Sequence, residues 1–249
     1  MARAVSESAI SQALFRQPCR APSHNMGMIL LASLFLLLAA GLQPLVAQTP
    51  APPPILPADV HAETRSRLPT LSRAEMKEGS QKFFDKYSPE PRPFYQRGPH
   101  HAYVYSPAVA QTLGHFMSTV RKEGVISPAQ TEVAILVAAR EIDQKFVWSA
   151  HERMAISASV PKRTIDAIKF DRDVASLPDP EAVLIRFGRQ LFRDRKVSPE
   201  LFARAVTIFG RQGVVELTAI MGYYVSVGMM LNAVDQQLPP NALLLPDRR

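Results

Sequence analysis

TEVAILVAAREIDQKFVWSAHERMAISASVPKRTIDAIK, residues 131–169, decides how this chain folds. Residues 133–139 are seven consecutive apolar side chains. A helix built from them has no polar face, so it must be covered on every side. That marks a central helix, expected over residues 128–142 because Ser127-Pro128 supplies an N-cap followed by proline at the first helical position. Trp148 and His151 open a second helix, expected over residues 145–158, and Val160-Pro161 begins a short third one that runs to about residue 170.

Outward from this segment the helical pattern continues. Ser72 is expected to cap a helix carrying Met76, Phe83, Phe84 and Tyr87 on one face. A loop rich in Pro, Gly and His follows, SPEPRPFYQRGPHH. Ser106-Pro107, Asp179-Pro180 and Ser198-Pro199 each open a further helix, and residues 212–234 form a last long one. No window alternates like paired strands, so the fold class is all-α. A faint internal repeat, with Ser127-Pro128 echoed by Ser198-Pro199, fits either a duplicated helical hairpin or independent use of a common cap. Gly222, Ser226 and Gly228 on the last helix would let another helix approach closely, which points to an oligomer.

The ends of the chain read differently. MILLASLFLLLAAGL, residues 28–42, is an uncharged run too short for an ordinary membrane span, and Arg3, Arg16 and Arg20 precede it. Residues 1–47 are therefore expected to be a signal peptide cleaved near Ala47, making the protein periplasmic or secreted; the alternative is an uncleaved membrane anchor. Residues 48–67 are expected to be a proline-rich linker, residues 68–238 the helical domain, and residues 239–249 a C-terminal tail.

The only cysteine, Cys19, lies in the segment that export would remove, so disulfides and thiol chemistry are excluded from the mature chain. The formal net charge is +7, and loss of residues 1–47, with three Arg and one Glu, leaves +5. The basic residues are scattered, without aromatic interleaving or a glycine-rich phosphate loop, so nucleic acid is not an expected partner. No HxH, HxxxH or HExxH spacing exists, so no metal and no cofactor is expected.

The chemistry rests on few side chains. Glu132 stands just ahead of the apolar run, either as a buried proton-transfer group or as an acid complementing the helix dipole. His151 lies on the apolar stripe of the next helix, either as its proton-transfer partner or as a hydrogen-bonded core residue. Trp148 would wall the pocket, Arg140 would meet an anionic substrate, and His115 would reach the same pocket. Tyr223 and Tyr224 either supply a phenol to the site or read as core, and the arginines from Arg186 to Arg195 read as a solvated face.

The same residues resemble the carboxymuconolactone decarboxylase family, within the alkyl hydroperoxidase D-like superfamily. The resemblance is carried by Glu132, Ile135, Ala138, Trp148, His151, Ala155, Val160, Ile165 and Ile168, with Gly98-Pro99 and Ser106-Pro107 upstream, and spans residues 68–234. It implies an all-helical fold assembled as a trimer or hexamer. It also implies a small carboxylate substrate, with His151 and Glu132 as the acid–base residues. The peroxidases of the superfamily carry C-x-x-C before the histidine, where this chain has Gln144 and Val147, so a thiol peroxidase is disfavoured. Decarboxylase-like members often have Glu where Val147 stands, and Ser159 takes the place of a helix-ending glycine. The expected activity is cofactor-free decarboxylation or isomerisation of a small carboxylated lactone or oxo acid. The alternative is a non-enzymatic helical oligomer with a small-molecule pocket.

Overall fold

A computed structural model describes residues 55–87 and 98–248. The expected signal segment lies outside the described residues. Within them the chain forms eight helices: α1 (Glu78–Tyr87), α2 (Pro99–Val104), α3 (Pro107–Glu123), α4 (Pro128–Glu141), α5 (Lys145–Ser157), α6 (Lys162–Lys169), α7 (Asp179–Arg193) and α8 (Pro199–Ala233). No strand occurs among the described residues beyond a single bridge between His61 and Ser66.

The all-apolar run does what its composition demands. Ala134, Ile135, Leu136, Ala138 and Ala139 on α4 are fully buried, because α5, α7 and α8 pack around the helix and α6 closes its flank. Gly188 lets α7 come in close: a Cβ there would stand 2.5 Å from Val137 Cγ1 and 2.9 Å from Met221 Cε. A smaller apolar cluster, built from Met76, Phe83, Tyr103, Val104 and Ala110, joins α1, α2 and α3.

Local chemistry sets the helix ends. Ser127 accepts from Gln130 N while the Gln130 side chain accepts from Ser127 N, a reciprocal capping box, and Ser198 accepts from Leu201 N. Five helices stop at a non-glycine residue in the left-handed region: Asp143, Ser159, Asp171, Arg195 and Asp235, with φ from 47° to 63°. In all but the case of Arg195 the following amide bonds back to the carbonyl five residues earlier, as Gln144 N does to Ala139 O at 2.8 Å. Ser159 therefore carries the backbone strain expected where a glycine is usual.

Two sequence expectations are revised and a third holds. The first helix starts at Glu78, six residues after Ser72, because Glu75 accepts from both Ser72 N and Oγ and closes a separate turn. The Gln81 side chain then satisfies the carbonyls of Arg73 and Met76 without helical bonds. The end of the expected loop, residues 99–101, is helical and opens α2, with Gly98 at φ 73° turning the chain into it. The last two expected helices are both present within α8, divided at Gly210, whose φ of 71° and ψ of 171° are not helical.

The body also extends past its expected limits. Arg67 N bonds Val234 O, and Gln237 N bonds Arg65 O, tying residues 65–67 to the end of α8. Residues 239–248 return across α4 and α5, with Leu245 buried in the core and Leu243 N bonded to Ser149 Oγ.

Candidate active site

Between the main core and the smaller cluster lies a cavity of about 860 Å³. Helical spacing decides which side chains reach it. On α5 the stripe is Val147, Ala150, His151 and Met154; on α8 it is Tyr223, Tyr224, Val227 and Leu231. On α3 it is Ala110, Gly114, Met117 and Arg121, while Phe83 from α1 and Tyr103 from α2 close the remaining side.

At one end sits the pairing expected from sequence. Glu132 Oε2 lies 2.7 Å from His151 Nδ1, with side-chain exposures of 6% and 11%. An ionised carboxylate only accepts, so Nδ1–H donates to it and Nε2 is left as the nitrogen with which His151 can serve a ligand. The second carboxylate oxygen, Oε1, is 3.4 Å from Arg121 Nη2, so Glu132 bridges a guanidinium and an imidazole. The Tyr224 ring meets His151 edge to face at 4.8 Å and fixes its plane. Burial raises the Tyr224 phenol well above its ordinary range, with nearby Arg121 acting the other way, so it stays protonated at neutral pH.

Three other expected residues are placed elsewhere. Arg140 is buried at the far end of α4, where Nη1 donates to Pro246 O at 2.6 Å and lies 3.6 Å from Asp143. Eight residues of helix separate it from Glu132, roughly 12 Å, so it does not meet a ligand there. Trp148 is fully buried and turned off the cavity, about 100° round α5 from Val147, its Nε1 donating to Glu152 Oε2 at 2.7 Å, while Lys169 Nζ contacts both oxygens of that carboxylate at 3.0 Å. It shapes the core behind the cavity and is not a wall of it. His115 faces a separate hollow of about 330 Å³ with Lys82, Gln111 and Ser118.

Arg121 is the site residue that the sequence reading passed over. It stands in the last turn of α3, beside Lys122, like any basic residue complementing a helix C-terminus. The tight reversal at Gly124 brings that turn against the first turn of α4, and so against Glu132. The available signal was its i+4 spacing from Met117 on the stripe that faces the cavity.

The positions corresponding to the peroxidase cysteines are structural or apolar here. Gln144 caps α5 through Phe146 N and donates to Gly228 O and Asn232 Oδ1, while Val147 is an apolar part of the cavity wall. Among the described residues no three His, Cys, Asp or Glu side chains converge as a metal site would require.

No family model matches the sequence, and no curated protein matches it. Solved structures do match the fold. The alkylhydroperoxidase AhpD core of an uncharacterized peroxidase-related protein from Ralstonia eutropha JMP134 aligns with a TM-score of 0.57 at 14% identity, over 72% of this chain and 94% of that one. The debrominase Bmp8, a cysteine-to-alanine variant in complex with 2,3,4-tribromopyrrole, aligns with a TM-score of 0.52 at 14% identity, over 68% of this chain and 90% of that one. At that identity the likeness concerns architecture, and the chain has the AhpD-like helical fold.

Proposed function

We propose that this protein is an exported, cofactor-free acid–base enzyme of the carboxymuconolactone decarboxylase type. Its reaction is decarboxylation or isomerisation of a carboxylated lactone or oxo acid. The observation that carries the reading is the 2.7 Å contact between Glu132 and His151 at the end of an apolar cavity.

In decarboxylation, the bond between the substrate carbon and its carboxylate breaks, CO2 leaves, and the electron pair remains as an enolate. His151, protonated on both nitrogens, donates the Nε2 proton to that carbon, and Glu132 compensates the imidazolium charge across Nδ1. Water returns the proton to His151 after release. In isomerisation the neutral imidazole removes a proton from carbon and returns it at another position. Low polarity around the pair strengthens both electrostatic contributions.

A homo-oligomer suits the outer face of α8, which presents Val215 and Met229 at 68% and 67% exposure alongside Gly222 and Ser226. A thiol-dependent peroxidase or dehalogenase reading has no support from Gln144 and Val147. One observation favours a binding protein instead: Val147 leaves the cavity without the extra carboxylate common among decarboxylase-like members.

The test is to follow loss of γ-carboxymuconolactone absorbance and release of CO2 with the purified protein and its His151→Ala variant. Carboxylated lactones and oxo acids of larger size are assayed in parallel. Turnover abolished by His151→Ala supports the proposal. Absence of turnover across the panel, with ligand binding retained, favours the binding protein.

A further inference from the structure

The cavity is too large and too apolar for a small lactone, and its charge is confined to one end. At about 860 Å³ it matches pockets that enclose drug-sized ligands, and a compact bicarboxylate would leave most of its wall uncovered. Among the described residues lining it, Arg121 is the only permanently charged side chain. His100 also lines the cavity, but burial holds its imidazole below its ordinary range, so it supplies no second positive charge at neutral pH. Away from Arg121 the surface is Phe83, Tyr103, Phe146, Val227 and Leu231.

Geometry gives the length. Arg121 and Ala110 mark the two ends of the α3 stripe, eleven residues apart, which is roughly 16 Å of helix. Arg121 meets Glu132 through one long contact of 3.4 Å, whereas an incoming carboxylate offers a guanidinium two parallel hydrogen bonds. A second hollow of about 510 Å³, lined by Thr131, Glu132 and Arg153, reaches Arg121 from the other side and gives its side chain room to turn. Glu132 does not repel the ligand unopposed, because its oxygens are held by His151 and Arg121.

We propose that the cavity selects an extended apolar monocarboxylate, its head paired with Arg121 beside His151 and its body lying along α3 toward Phe83 and Leu231. This deepens the acid–base reading above and rests on it for the reaction, but the binding preference stands separately. Arg121 is thus the specificity-determining residue: it fixes the carboxylate so that the adjoining carbons face His151. A second carboxylate at the far end would meet no cation, only the His100 imidazole and the Tyr103 hydroxyl among apolar side chains.

Calorimetric binding of hexanoate, decanoate, decanedioate and decanol to the full protein tests the proposal. Decanoate is expected to bind at least about tenfold more tightly than hexanoate, since each buried methylene adds affinity, and more tightly than decanedioate. Arg121→Gln is expected to weaken decanoate about tenfold or more while leaving decanol within about threefold, and Arg121→Lys is expected to restore part of the difference. His151→Gln is expected to abolish turnover and retain decanoate binding, which separates failure of the reaction from failure of the ligand class. Equal affinity for hexanoate and decanoate, or an Arg121→Gln variant with an unchanged decanoate-to-decanol ratio, would overturn the proposal.

Discussion

Glu132 and His151, nineteen residues apart on neighbouring helices, meet through a single 2.7 Å contact, with His151 in the wall of an apolar cavity and Glu132 behind it. The carboxylate dictates the imidazole tautomer, and the tautomer dictates which nitrogen serves a ligand. Replacing the acid with its amide keeps the shape and removes that instruction. Glu132→Gln is expected to lower turnover at least about a hundredfold with little change in the folded structure. Nitrogen-resolved NMR is expected to show His151 protonated on Nδ1 in the parent protein and a mixture of tautomers in the variant. Identical tautomers in both proteins would show that the carboxylate does not orient the ring.

Ser159 holds φ at 63° to close α5. A side chain in that region costs about 1 kcal/mol that glycine avoids. Ser159→Gly is therefore expected to stabilise the protein by about 0.5–1 kcal/mol, read as a higher urea midpoint. A lower midpoint would mean that the loop tolerates serine without strain.

Two glycines on the packed helices should respond oppositely to a methyl group. At Gly188 the added carbon would press on Val137 and Met221, so Gly188→Ala is expected to cost about 1–3 kcal/mol. At Gly222 nothing lies within 4 Å, so Gly222→Ala is expected to be neutral or to gain up to about 1 kcal/mol of helix propensity in the isolated chain. Thermal melts of the two variants give the comparison. A Gly222→Ala variant that instead loses assembly would place that face in a subunit contact.

Burial lowers the imidazole pKa of both His100 and His101 from the ordinary 6.5. Carbonyl hydrogen bonds partly oppose this at His101, whose Nε2 lies 3.1 Å from Leu68 O. The unfolded chain then binds more protons than the folded one as pH falls below 6.5, so the stabilisation is complete above that value and is lost going down through the folded values. The urea midpoint is expected to fall between pH 7.5 and 5.5. The slope should flatten in a His100→Gln, His101→Gln double variant, and an unchanged slope would assign the acid sensitivity to other groups.

Much of this arrangement was legible in the residues. Seven apolar positions in a row demanded a central helix, Ser127 and Ser198 announced their caps, and the family-like spacing paired Glu132 with His151. What stayed hidden depended on neighbours distant in sequence. Arg140 looked available for a ligand until Pro246 and Asp143 were seen to occupy it, because the returning tail carries no periodic signal. Trp148 was drawn off the cavity by Glu152 one helical turn later, itself held by Lys169. His115 lies one residue beyond Gly114, and that single step turns it about 100° away from the cavity. Arg121 entered the site through a chain reversal whose geometry the sequence does not encode by spacing alone.

Proton movement at carbon by Glu132 and His151, as proposed, can be tested without knowing the natural substrate. Oxo acids and carboxylated lactones of increasing apolar length are incubated with the protein in D2O, and deuterium at the acidic carbon or at the carbon that has lost CO2 is followed by proton NMR. Labelling is expected well above the buffer rate, falling at least about a hundredfold in both His151→Ala and Glu132→Gln. Labelling at the buffer rate throughout, or equal labelling by all three proteins, would contradict it.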